Sequence, residues 1–173
     1  MKRVYLVGYM GAGKSSIAKR LANKIGWISC DLDLLFEERY KISVDDFFAK
    51  YDEIAFRKLE SDLLKQTESM ENVIISTGGG TPCFFDNMTW MNENGLTVFI
   101  EISPLTAVNR LKQSKKKRPL LSDKNKEQLL DFVQHHYGER MKFYRQAQLT
   151  VKGESCDVDE LVEKLKDINN SLS

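Results

Sequence analysis

The chain has 173 residues, 42% of them hydrophobic, which suits one domain with a substantial core. A formal net charge of +1 argues against a globally basic binder of nucleic acid or anionic membrane, and no stretch is long and apolar enough to span a bilayer. Cys30, Cys83 and Cys156 lie at no metal-binding spacing and leave an odd count, the usage expected of free thiols in a reducing cytoplasm. The apolar run after Lys2-Arg3 is broken by glycines and has no small-residue cleavage site, so the expectation is a soluble cytoplasmic protein.

In chain order, Lys2 to Val7 reads as a short β-branched strand, and Ser16 onward as a helix with Ile17, Leu21 and Ile25 on one face, closed by Gly26. Between them Gly8-Tyr9-Met10-Gly11-Ala12-Gly13-Lys14-Ser15 fills every fixed position of G-x-x-x-x-G-K-[ST]. Strand, glycine loop and helix N-terminus aim backbone N–H groups and a positive dipole end at one point. Glycines let the backbone approach phosphate oxygens closely. Lys14 brings charge to the β- and γ-phosphates of a nucleoside triphosphate, and Ser15 brings a hydroxyl to Mg²⁺.

Trp27 to Cys30 is a second strand ending at Asp31-Leu32-Asp33, and Leu34 to about Met70 is helical with a break near Lys41-Ile42. Ser43 with Asp46 has the form of a capping box. Val73 to Ser76 is an apolar third strand followed by Thr77-Gly78-Gly79-Gly80, Asn87 to Asn94 a helix stopped by Gly95, and Leu96 to Ile100 a fourth strand. Ser103-Pro104 opens the next helix. Gln113 to Asn125 is charged and irregular, Glu127 to Tyr144 helical, Leu149 to Val151 a fifth strand, and Asp157 with Glu160 caps a last amphipathic helix. Strands alternating with helices imply a parallel sheet covered on both faces, with ligands beyond the carboxyl ends of the strands. The phosphate loop, Asp31 with Asp33, and the glycine triplet all fall at those ends.

Asp31 and Asp33 read either as a helix N-cap with an acidic first turn or as a pair serving Mg²⁺ and a substrate hydroxyl. The third strand ends in Ser76-Thr77 and offers no aspartate for the metal, so Asp31 takes that part. Three glycines in a row imply close approach of the backbone to something. Phe56-Arg57-x-x-Glu60 in a helix reads on its own as a solvated face with a Glu53–Arg57 pair. Lys112 to Lys126 carries seven basic residues, which fits a solvated loop, a nucleic-acid patch, or a lid delivering one arginine to a triphosphate.

Taken together these motifs resemble the shikimate kinase family. They come in its order over Val4 to about Val151: the phosphate loop, Asp31-Leu32-Asp33, Phe56-Arg57-Lys58-Leu59-Glu60, Thr77-Gly78-Gly79-Gly80, Arg118-Pro119-Leu120-Leu121 and Arg140-x-x-x-Tyr144. Ser16 stands where threonine is commoner, and Thr81-Pro82-Cys83 replaces the usual small apolar residues. The resemblance implies a three-layer α/β/α P-loop kinase domain over residues 1–173, with a five-stranded parallel sheet in order 2-3-1-4-5. Substrate-binding helices would span about 33–60 and a mobile lid about 112–125. It also implies transfer of the ATP γ-phosphate to the 3-hydroxyl of shikimate, on the route to chorismate.

By the same resemblance, Gly11, Ala12, Gly13, Lys14, Ser15 and Ser16 hold the ATP phosphates, Arg110 stacks on adenine, and Arg118 with Lys14 neutralises the transferred charge. Asp33, Arg57, Gly78, Gly79, Gly80 and Arg140 bind shikimate, with Asp33 orienting or deprotonating its hydroxyl. Ser15 ligates Mg²⁺ directly and Asp31 through water. The implied partner is shikimate alone, bound by a monomer without nucleic acid or membrane. A gluconate-type sugar kinase would leave Arg57 and Arg140 without a reason, and a nucleic-acid module would leave Lys14, Asp31 and Asp33 without one. Glu60 serves only to orient Arg57, His135 and His136 have no assigned role, and Cys83 is expected to be reachable by alkylating agents, Cys30 to be buried.

Overall fold

The computed structural model describes residues 1–114 and 125–171. Five strands, β1 (Arg3–Val7), β2 (Ile28–Asp31), β3 (Val73–Ser76), β4 (Leu96–Glu101) and β5 (Leu149–Lys152), form one sheet in order β2-β3-β1-β4-β5. Every pairing is parallel, as strands separated by helical crossovers require. The register sets Asp31 opposite Ser76 and Ser76 opposite Leu6, so three neighbouring strands finish level on one edge. The central strands are buried throughout in β3 and from Val4 onward in β1, which is why they read as apolar runs.

The helices are α1 (Lys14–Ile25), α2 (Leu32–Tyr40), α3 (Val44–Lys50), α4 (Glu53–Gln66), α5 (Asn87–Asn94), α6 (Pro104–Gln113), α7 (Lys126–Tyr144) and α8 (Val158–Ser171). They flank the sheet: α1 rests on β2 and β3 and packs against α8, α5 rests on β4, and α6 packs against α7. The expected helical run from Leu34 to Met70 is cut twice rather than once. Lys41, in the left-handed region at φ 55°, closes α2. The second break lies before α4, where the Asp52 carboxylate accepts the Ala55 amide at 2.7 Å and so starts a new helix. Ser43 caps α3 by accepting the Asp46 amide at 3.0 Å, while its hydroxyl donates to the Asp46 carboxylate at 2.6 Å. At α7, Asn125 and Gln128 form a full capping box that sequence reading passed over.

Candidate active site

The phosphate loop leaves β1 through Gly8, at φ 143°, where an added Cβ would lie 2.6 Å from the Ile100 carbonyl oxygen. Gly13, also left-handed, caps α1, whose first turn holds no acidic side chain. Its N-terminal N–H groups are thus left for an outside anion. Gly13, Ser15 and Ser16 are exposed, whereas Ala12 and Lys14 are buried. The Lys14 ammonium folds back on the loop, donating to the carbonyls of Gly8 at 2.7 Å and Tyr9 at 2.9 Å.

Asp31 uses both carboxylate oxygens, and one of them makes the helix N-cap that the sequence offered as one of its two readings. Its Oδ1 caps α2, accepting the amides of Asp33 at 3.0 Å and Leu34 at 3.3 Å. Its Oδ2 accepts the hydroxyls of Ser15 at 2.5 Å and Ser76 at 3.0 Å. Helix start and phosphate-loop partner are therefore the two oxygens of one carboxylate.

Each glycine of the triplet is crowded by a different neighbour, Gly80 most tightly. A Cβ on Gly78 would meet Glu60 Oε1 and Thr81 Oγ1 at 3.0 Å and Asp33 Oδ1 at 3.2 Å. On Gly79 it would meet the Met10 amide nitrogen at 3.2 Å and an Arg140 guanidinium nitrogen at 3.5 Å, and the Gly79 carbonyl accepts the Tyr144 hydroxyl at 2.6 Å. On Gly80 it would enter the Arg57 guanidinium, 2.7 Å from Cζ. Asp33, Arg57, Arg140 and the phosphate loop thus converge on three residues.

Phe56 to Glu60 is not a solvated face. Arg57 is 7% exposed and Glu60 2%. The Arg57 NH1 donates to Glu60 Oε2 at 2.8 Å, and Nε and NH2 reach Glu53 Oε1 at 3.2 and 3.1 Å. Thr81 Oγ1 donates to the other Glu60 oxygen at 2.6 Å. The rings of Phe84, Phe56 and Phe48 surround the guanidinium, with centroids 4.4, 5.1 and 5.9 Å from Cζ. A buried cation held this way costs desolvation that the two carboxylates and the rings offset. Glu60 therefore does more than aim Arg57: it ties α4 to the segment after the triplet. Phe48 and Phe84 escaped sequence reading, since aromatic residues in a helix and a loop look like ordinary core.

Arg110 contacts the loop itself: NH1 donates to the carbonyls of Gly11 at 3.0 Å and Ala12 at 3.2 Å, and NH2 to Gly153 at 3.3 Å. Beside it opens a cavity of about 440 Å³ lined by Gly13, Arg20, Glu154 and Cys156 among others. Arg118 and most of the expected lid lie outside the described residues.

Cys83 and Cys30 are alike in exposure. Cys83 is half-buried, and burial pushes its thiol up to about 11, with Arg140 and Arg57 pulling only weakly the other way. A thiol so protonated is a poor nucleophile at neutral pH. Cys30 is also half-buried rather than fully so, its thiol raised by burial and by Asp31. Tyr144 is raised much further by burial.

The shikimate kinase family model matches residues 10–169. The chain belongs to the shikimate kinase family. A shikimate kinase of Phocaeicola vulgatus is 40% identical over 173 residues, covering 95% of this chain and 99% of its own length. The crystal structure of shikimate kinase from Bacteroides thetaiotaomicron superposes with a TM-score of 0.89 at 38% identity, covering 98% of both chains. That of Acinetobacter baumannii, in complex with shikimate, gives 0.83 at 28% identity, covering 100% of this chain and 95% of its own. As a shikimate kinase the protein is a nucleotide-using transferase that phosphorylates shikimate in aromatic biosynthesis. The strand order and the α/β/α layers match the P-loop kinase fold expected of a shikimate kinase.

Proposed function

We propose that this kinase moves the γ-phosphate of ATP to the 3-hydroxyl of shikimate, with Mg²⁺ beside Ser15 and Asp31. The reading is carried by the convergence of Asp33 and Arg57 on the glycine triplet that also touches Met10 of the phosphate loop. A carboxylate suited to an alcohol and a guanidinium suited to a carboxylate then flank one acceptor next to the phosphate path.

In this scheme the loop amides from Gly11 to Ser16 hold the phosphates, and Lys14 exchanges the carbonyls of Gly8 and Tyr9 for phosphate oxygens. Asp33 orients the 3-hydroxyl and accepts its proton as the oxygen attacks the γ-phosphorus. Arg57 and Arg140 grip the shikimate carboxylate, and the amides of Gly78, Gly79 and Gly80 line its ring hydroxyls. Arg118 adds charge to the transferred group. Arg110 and the cavity beside it border the adenine end.

The oxygens of Ser15, Ser76 and Asp31 suit a hard ion. Among the described residues no group of three His, Cys, Asp or Glu forms a dedicated cage, which fits an ion whose shell is completed by phosphates and water. Such an ion, when bound, neutralises charge across the β- and γ-phosphates. Near-neutral charge supports a protein with no nucleic-acid or membrane partner, and free thiols support the cytoplasm; a monomer completes the proposal. Coupled measurement of ADP release is the test. Release should require shikimate, and gluconate should not replace it; shikimate-independent turnover, or equal turnover with gluconate, would overturn the assignment.

A further inference from the structure

Tyr9, the residue after the first glycine of the phosphate loop, is fully buried. Its ring stacks on Tyr137 with centroids 4.8 Å apart and meets His136 edge-on at 5.6 Å. Its hydroxyl lies 2.9 Å from His136 Nδ1. Both partners belong to α7, the helix that carries Arg140 one turn further on. Phe132 stacks on the imidazole at 5.3 Å, so the ring's plane is held as well as its nitrogen.

The main chain of Tyr9 gives this contact its consequence. Its carbonyl accepts the Ala12 amide at 3.2 Å and the Lys14 ammonium at 2.9 Å. One peptide thus sets the turn of the loop and the resting position of its lysine, while the side chain of the same residue is anchored 127 positions away in sequence. A main-chain shift that moved this carbonyl would drag the Tyr9 ring from its packing on Tyr137 and its hydroxyl from His136, so the part-buried bond to α7 resists it. Burial, with Arg140 nearby, holds His136 below the ordinary histidine range. The neutral imidazole can therefore accept the Tyr9 hydroxyl proton at Nδ1.

We infer that His136 is a positioning residue for the nucleotide loop: through Tyr9 it fixes the carbonyl that carries Lys14 and so keeps the loop shaped for phosphates. It makes no contact with reacting atoms in this role. Loss of one hydrogen bond of this kind changes an equilibrium by about 3- to 10-fold.

The test measures ADP affinity by calorimetry and the KM for shikimate by turnover, in His136→Leu, His136→Asn, Tyr9→Phe and the Tyr9→Phe/His136→Leu pair. Asparagine offers an oxygen where Nδ1 lies, and Tyr9→Phe deletes a single oxygen from a chain that should still fold. ADP affinity should fall about 3- to 10-fold in His136→Leu and in Tyr9→Phe, with the KM for shikimate changed less than about twofold. The pair should lose no more than either single variant, and His136→Asn should recover to within about twofold of wild type. The inference is overturned if ADP affinity stays within twofold of wild type in Tyr9→Phe, if the two losses multiply in the pair, or if both substrates suffer equally. None of those results would alter the family assignment, which rests on the match over residues 10–169, or the proposed reaction, which wild-type ADP release tests separately.

Discussion

The Arg57 guanidinium fills the space that a side chain on Gly80 would need, with Cζ 2.7 Å from the site of the missing Cβ. Glycine at this position and arginine on α4 are therefore one device: the backbone of the triplet can touch the cation only because nothing projects between them. Glu53 and Glu60 hold the guanidinium from other directions, so it has little freedom to retreat.

Gly80→Ala should accordingly damage shikimate binding while sparing the nucleotide. The methyl group must displace Arg57, and a misaligned bidentate contact to a carboxylate costs on the order of 1.5 kcal/mol or more. The expected outcome is a KM for shikimate raised at least about tenfold, which corresponds to that loss. ADP affinity should stay within twofold. Steady-state kinetics together with calorimetry check both halves, and an unchanged KM would show that Arg57 does not face the acceptor.

Asp33→Asn should lower turnover by roughly 10²–10⁴, the range for loss of a general base, with ADP affinity nearly intact. The main chain helps here. Asp33 donates its amide to Asp31, a bond the substitution keeps, so the cap of α2 survives. Turnover within threefold of wild type would remove Asp33 from the reaction.

Much of this site was legible because its chemistry is written in short motifs at strand ends. Lys14, Ser15, Asp31, Asp33 and the glycines could each be singled out from neighbours in sequence. What could not be read was whatever depends on distant partners. The burial of Arg57 needs Phe84 from beyond the triplet and Thr81 bonded to Glu60, and helix spacing alone argued for a solvated face. That Asp31 caps α2 with one oxygen and meets Ser76 with the other was hidden too, since only the register of β2 and β3 brings Ser76 beside it. His136 had no readable role because its partner lies at the other end of the chain. The sheet order was expected from family resemblance and not from periodicity, which gives strands but not their neighbours.

The two glutamates on Arg57 should differ sharply in their effect on stability. Glu60 is buried and also bonds Thr81, while the Glu53 side chain is about half exposed, at 52%. Glu60→Ala removes one side of a buried pair and should cost about 3 kcal/mol. Glu53→Ala should cost less than about 1 kcal/mol, as solvent already screens that pair. Urea unfolding measures both, and equal losses would mean that Glu60 does not anchor α4 to the triplet.

In the basic segment, Arg118→Ala should reduce turnover by roughly 10²–10⁴, given the effect of arginines on phosphoryl transition states. Lys115→Ala and Lys116→Ala should each change it by less than about threefold. Similar losses for all three would make Arg118 one part of a diffuse charge.

Cys83 offers a pH test of the acceptor side. Burial raises its pKa to about 11, so the thiol form prevails at neutral pH and only the small thiolate fraction reacts with iodoacetamide. Alkylation of Cys83 should be very slow near pH 7.5 and accelerate about tenfold per pH unit until the pH nears that value, since the thiolate fraction grows by that factor. Because Cys83 follows the triplet, donating its amide to the Gly80 carbonyl, and feels the charges of Arg140 and Arg57, modification should block shikimate, and bound shikimate should slow the loss of activity more than ADP does. Mass-spectrometric mapping at each pH separates Cys83 from Cys30 and Cys156. Rapid labelling of Cys83 at pH 7.5 would contradict its burial, and full activity after complete labelling would remove it from the wall of the acceptor pocket.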